Sequence, residues 1–213
     1  ARALEREGIR CEAPLVLTLC QAVLCGAADI VRIACPVGRL AGWQPRAVAA
    51  GGAAVVAGGN GAAAVVDAVG GAAGAAGALA AGGPSAAAGV EDPGVATLAR
   101  LWRYLRHYGV DTEVVGTDLR DVPQALALAG CERLAIGGAL LEALRAGEGA
   151  VACALERGEA EAAPMHARTF NEASFRWSLN EDAMATELLA AGIRDFAAAA
   201  AALERAIDAR RAG

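Results

Sequence analysis

Short apolar runs alternate with helical stretches along much of this chain, and that alternation leaves few folds open. Ala13 to Leu19 is apolar and contains β-branched residues, which reads as a strand. Cys20 to Ala28 reads as a helix and Ile30 to Cys35 as a second strand. Thr112 to Gly116 and Arg133 to Ile136 are two more strands. They alternate with a helix from Val122 to Ala129, stopped at Gly130, and one from Leu140 to Arg145, ended by Gly147. Strands that alternate with helices pair in parallel, so the fold class is α/β. Leu98, Leu101, Trp102 and Leu105 recur at i, i+3, i+4 and i+7 and mark one buried helix face, which Gly109 closes. A first helix spans Ala3 to Gly8, and a helical region runs from Asn180 past Phe196 to about Arg210.

Between these parts lies residues 47–90, almost all Ala, Gly and Val, with Asp67 as its one charged residue. Such small side chains bury too little area to offset the entropy of ordering them, so disorder is expected there. The chain therefore divides into residues 1–46, the first βα units; 47–90, an Ala/Gly insert; and 91–213, the remaining units and the C-terminal helices. Alanine and glycine enter lipid poorly, which argues against a membrane span within the insert. The insert also holds Gly59-Asn60-Gly61-Ala62-Ala63-Ala64 after the apolar run Ala53 to Ala57, a GxGxxA match to dinucleotide-binding turns. A Gly/Ala segment produces that spelling by chance, and it lacks the acidic residue about 20 positions on that would hold a ribose.

Charge narrows the partners. A net charge of −5 argues against nucleic acid, which needs a clustered basic face. Arg100, Arg103, Arg106 and His107 are locally basic, but their spacing reads as the solvated face of one helix. Cys11, Cys20, Cys25, Cys35, Cys131 and Cys153 form no CxxC, and only His107 and His166 could add imidazole, so no metal site is expected. An even number of cysteines permits disulfides. With no secretory leader visible, however, a chain this long and core-rich reads as cytoplasmic with reduced thiols. It opens at Ala1, inside a helix, as a truncated or processed product would.

The segments on either side of the insert resemble transaldolase. The matching residues are Leu4 to Ile9, Gln21-Ala22, Val37-Gly38-Arg39, Trp43, Glu91 to Val95, Ala129 to Leu134 and Phe175-Arg176-Trp177. Leu179 to Glu187 is the most specific run, continued by Gly192-Ile193-Arg194 and Phe196-Ala197. The resemblance covers about residues 3–46 and 91–207. It implies a partial (β/α)8 TIM-type barrel whose four strands look like the fifth to eighth, with a C-terminal helix. It also implies a transferase of the pentose phosphate pathway that needs no cofactor. A lysine amine forms an iminium with a ketose, and a dihydroxyacetone unit passes to an aldose. Yet all 19 basic side chains here are arginine, and no lysine occurs. A guanidinium stays protonated and cannot replace that amine.

The part of the site that the resemblance carries over is the phosphate end. Arg39, after the second strand, and Arg120, after the third, match family arginines that hold a substrate phosphate. The implied ligands are sugar phosphates of the sedoheptulose 7-phosphate and fructose 6-phosphate class. Without the resemblance, each reads as a surface arginine with a carboxylate partner. Several positions depart from the family. Ala34 stands for a serine and Pro36 for an aromatic near Arg39. Asp118 stands for a serine near Arg120, where it should repel phosphate and pair with Arg120. Glu12 and Pro14 replace an Asn and a Thr after the first strand, and Pro14 removes a donor from a strand expected to be central. The readings are an inactive transaldolase-type enzyme, or a non-catalytic fragment that binds sugar phosphate or a partner. A half-barrel, with open sheet edges, is expected to form a homodimer or to be completed by another chain.

Overall fold

The computed structural model describes residues 1–44 and 92–212. The insert at 47–90 and the Gly59/Gly61 fingerprint lie outside the described residues. Helix α1 (Arg2–Arg6) ends in a reversal at Gly8, whose φ of +80° suits a residue without a Cβ. Strand β1 (Glu12–Ala13) leads to α2 (Leu19–Ala27), β2 (Arg32–Pro36) and the short α3 (Val37–Ala41). Beyond the insert come α4 (Pro93–His107), β3 (Glu113–Thr117), α5 (Val122–Ala127), β4 (Arg133–Leu134) and α6 (Gly138–Ala146). Helices α7 (Arg157–Ala162), α8 (Glu172–Glu181) and α9 (Ala183–Ala212) complete the described chain. The strands pair in parallel, in the order β1-β2-β3-β4. Each strand thus neighbours the next in sequence, as expected of βα units.

Local chemistry sets the helix starts. Thr18 and Gln21 form a capping box at α2, with the Gln21 side chain accepting from the amides of Leu17 and Thr18 at 2.9 and 3.0 Å. Asp92 caps α4 by accepting from Gly94 N and Val95 N, and Pro93 occupies the first turn. Asp182 accepts from Ala185 N at 2.9 Å and so begins α9. That cap splits the helical region read as continuous from Asn180.

The core lies between the sheet and α4. Leu98, Leu101 and Leu105 are wholly buried, as the helical spacing predicts, against Ile33, Cys35, Val114 and Leu128. Each such leucine contributes about 1.5–3 kcal/mol by leaving water. At Gly116 the sheet has no side chain, and Leu98, Leu128 and Leu134 close over the gap. The opposite ends of the strands carry an alternating charge row. Arg32 pairs with Glu12 at 3.4 Å and with Glu113 at 2.8 Å, and Glu113 also receives Arg133 at 2.8 Å.

Several expectations change. The first strand is a two-residue ladder, because Leu15 adopts φ +58° and takes the following chain out of register. Contact resumes only where Val16 N donates to Ala34 O at 3.0 Å. Pro14 lies beside the sheet's outer strand rather than a central one, so its missing donor breaks no described ladder. Glu12 does not follow the first strand; it lies in β1, opposite Arg32 at the start of β2. The basic group on α4 is not a solvated face, since of its four residues Arg103 alone is exposed. Arg106 is buried, donating to Thr112 O and pairing with Glu132 at 3.4 Å. No helix among the described residues is long and apolar enough to cross a membrane.

Candidate functional site

The two arginines singled out from sequence come together at one end of the sheet. Pro36 and Thr117 end β2 and β3 and are register partners. Arg39 is the third residue after Pro36 and Arg120 the third after Thr117, so both leave neighbouring strands at matched height. These are the C-terminal strand ends, where α/β folds of this kind place ligands.

Close backbone packing fixes the spacing between the two turns. A Cβ at Gly38 would strike the Asp118 carbonyl oxygen, so only glycine lets α3 approach the β3 loop. The Arg120 side chain lies along the same surface, with its guanidinium over Gly42. Asp118 itself sits at φ +57°, a conformation that aspartate tolerates better than most residues. The Arg120 amide donates to Gln124 Oε1 at 2.8 Å, and Gln124 Nε2 donates to Asp92 Oδ2 at 2.7 Å. Asp121 caps α5 by accepting from Gln124 N at 2.9 Å. The cap of α4 and the cap of α5 thus share one buried glutamine, which holds the Arg120 turn against α4.

Arg39 is already engaged. Its Nε donates to Asp118 Oδ2 at 3.1 Å and its Nη1 to Asp195 Oδ2 at 3.4 Å. Asp118 therefore pairs with Arg39, not with Arg120 as expected. The carboxylate-paired surface arginine read without the family resemblance is an accurate description of Arg39 in this state. Sequence reasoning missed Asp195 altogether. It is on α9, 156 residues from Arg39, between Gly192-Ile193-Arg194 and Phe196-Ala197, and no local period marks it. Trp43 Nε1 donates to Glu187 Oε2 at 3.1 Å and ties the end of α3 to the same helix.

The sequence model of the transaldolase/fructose-6-phosphate aldolase family matches residues 1–207. The chain belongs to this family. It is 43% identical over 209 residues to a transaldolase of Methylibium petroleiphilum, covering 98% of this chain and 57% of that protein. The chain therefore spans somewhat over half the length of that relative. Nothing among the described side chains supplies the nucleophile of Schiff-base chemistry, because the sequence contains no lysine. Nor are the core thiols substitutes. Burial pushes Cys25 and Cys131 up to about 11 and Cys35 higher still, so each is a neutral thiol at pH 7. Ala34, expected from the resemblance to stand for a serine, is buried in β2 and offers no polar side-chain group. A groove of about 770 Å³ among the described residues, lined by Phe175, Trp177, Leu179 and Thr186, includes neither Arg39 nor Arg120. What the arginine end can do chemically is hold an anion. Its forked donors suit an oxyanion.

Proposed function

We propose that these residues form the phosphate-holding side of a transaldolase-type site, on a sheet that is the second half of a (β/α)8 barrel. The intended ligands are ketose and aldose phosphates of the sedoheptulose 7-phosphate and fructose 6-phosphate class. The observation that carries the reading is the matched placement of Arg39 and Arg120 after register-paired strand ends. A guanidinium can present two N–H donors to one phosphate, the geometry in which charge-assisted bonds are strongest. Family membership supports the reaction class proposed: transfer of a dihydroxyacetone unit within the pentose phosphate pathway, through an iminium on a lysine.

The residues present perform the binding part of that reaction and not the covalent part. Without a lysine, the 213 residues have no amine side chain to attack a ketose carbonyl. In a coupled assay of fructose 6-phosphate with erythrose 4-phosphate they give no turnover above blank, and borohydride traps no adduct. A trapped adduct would overturn the non-catalytic reading. Titration calorimetry with fructose 6-phosphate tests the binding part. Millimolar affinity that is lost in Arg120→Met supports it, and no heat at any accessible concentration refutes it. Association with a second chain fits the outer strand β1 and the exposed Ile193, Phe196, Leu203 and Ile207 of α9. A monodisperse monomer in sedimentation would contradict it.

A further inference from the structure

We infer that Asp118 and Asp195 act as an internal carboxylate clamp on Arg39, which weakens the hold of this site on phosphate dianions. The inference rests on the reading of Arg39 and Arg120 as the phosphate end, and it assigns to Asp118 the role of a specificity-determining residue there.

The geometry is that of an occupied anion site. A guanidinium recognises an oxyanion through its N–H fork, and on Arg39 Nε already faces Asp118 while Nη1 faces Asp195. An incoming phosphate competes with the two carboxylates for those donors. The two carboxylates offset the charges of Arg39 and Arg120, so the site attracts a dianion less strongly than two free guanidiniums would, while a neutral sugar is little affected. The backbone of Asp118 is held in place. Its backbone carbonyl is wedged against Gly38, and its left-handed turn directs the carboxylate at the arginine one position further along α3. Asp195 is different. It reaches in from α9 and is the more exposed of the two, with 68% of its side chain accessible against 47% for Asp118. Exposed ion pairs contribute little to stability, about 0–1 kcal/mol each. The clamp's effect is therefore on ligand choice and not on folding.

The test is calorimetry with inorganic phosphate, fructose 6-phosphate and fructose on the whole chain. The variants are Asp118→Asn, Asp118→Ser and Asp118→Asn with Arg39→Met. Asparagine keeps the size and tolerates the left-handed turn, so Asp118→Asn folds even if serine strains the loop. Removing one charge about 5 Å from a dianion in a solvent-exposed site is expected to tighten inorganic phosphate ~10-fold. The gain disappears when Arg39→Met is added, and fructose binding does not change. If wild-type chain binds phosphate through Arg39 as tightly as Asp118→Asn does, the clamp is wrong while the phosphate-end reading stands. If no variant binds phosphate or fructose 6-phosphate, the phosphate-end reading fails and the clamp falls with it.

Discussion

Replacing Glu132 with alanine should destabilise the protein by ~3 kcal/mol, because that carboxylate is the shared acceptor for three groups on two elements. Its Oε1 accepts from Trp102 Nε1 at 2.9 Å and lies 3.4 Å from Arg106 Nη1, while Oε2 accepts from Val114 N at 3.2 Å. Removing one partner of a buried ion pair costs about 3–5 kcal/mol, since the other charge is left without compensation. The lower end applies here. The Arg106 side chain is 6% exposed but that of Glu132 is 26% exposed, so water can reach part of the gap. Arg106 has little to fall back on. It keeps the Thr112 carbonyl, but its Nε has no hydrogen-bond partner among the described residues. The assay is urea and thermal unfolding followed by far-UV circular dichroism. At about 2–4 °C per kcal/mol for a chain of this size, the midpoint should fall by roughly 6–12 °C. Glu132→Gln retains an acceptor for Trp102 and should lose about half as much, ~1.5 kcal/mol. Adding Arg106→Met to Glu132→Ala should restore part of the loss, because the orphaned charge is then gone. A loss under ~1 kcal/mol in Glu132→Ala, or no recovery in the double variant, would refute the reasoning.

Two further perturbations address the arginine end and the charge row. Gly38→Ala drives a methyl into the Asp118 carbonyl, a backbone atom that cannot rotate away, and should cost ~1–3 kcal/mol in urea unfolding. Gly42→Ala meets only the flexible tip of Arg120 and should cost under ~0.5 kcal/mol while displacing that guanidinium, seen as weaker phosphate binding. Equal losses in the two variants would contradict this account of the packing. Glu113 has its carboxyl held down to about 2, first by the Arg133 hydrogen bonds and then by those of Arg32. Because the folded value lies below the unfolded one, this stabilisation is complete above about pH 4.5 and is lost as pH falls toward 2. Glu113→Gln should therefore be less stable than wild type at pH 7 and match it near pH 2, with a difference that shrinks in high salt. A pH-independent difference would count against the ion-pair cause.

The legible parts of the fold were those encoded over a few neighbouring residues. The face formed by Leu98, Leu101, Trp102 and Leu105 could be read because helical burial repeats every three or four positions. The Asp92 cap and Pro93 are of the same local kind, because a helix cap involves only adjacent amides. Strand β1 was read too long because the apolar run Leu15-Val16-Leu17 is buried as a strand would be, yet it leaves the ladder through one left-handed residue. Burial and strand pairing are separate properties, and sequence periodicity reports only the first. Helix α7 and the five-residue α3 were not anticipated; such short segments carry too few turns to show a period. The basic spacing on α4 misled for the opposite reason. Charge favours solvent unless a partner is supplied, and the partners of Arg106 come from Thr112 and from Glu132.

At the site, the amino-acid sequence alone determined the lineage, the absence of a lysine and the pair of arginines, because these are matters of residue identity and motif order. Only the tertiary structure decided what those arginines face. The partner of Arg39 depends on a left-handed turn at Asp118 and on a helix 156 residues away delivering Asp195. An ion pair forms wherever packing brings opposite charges within about 4 Å, and that distance is set by the sheet, by Gly38 and by the path of α9.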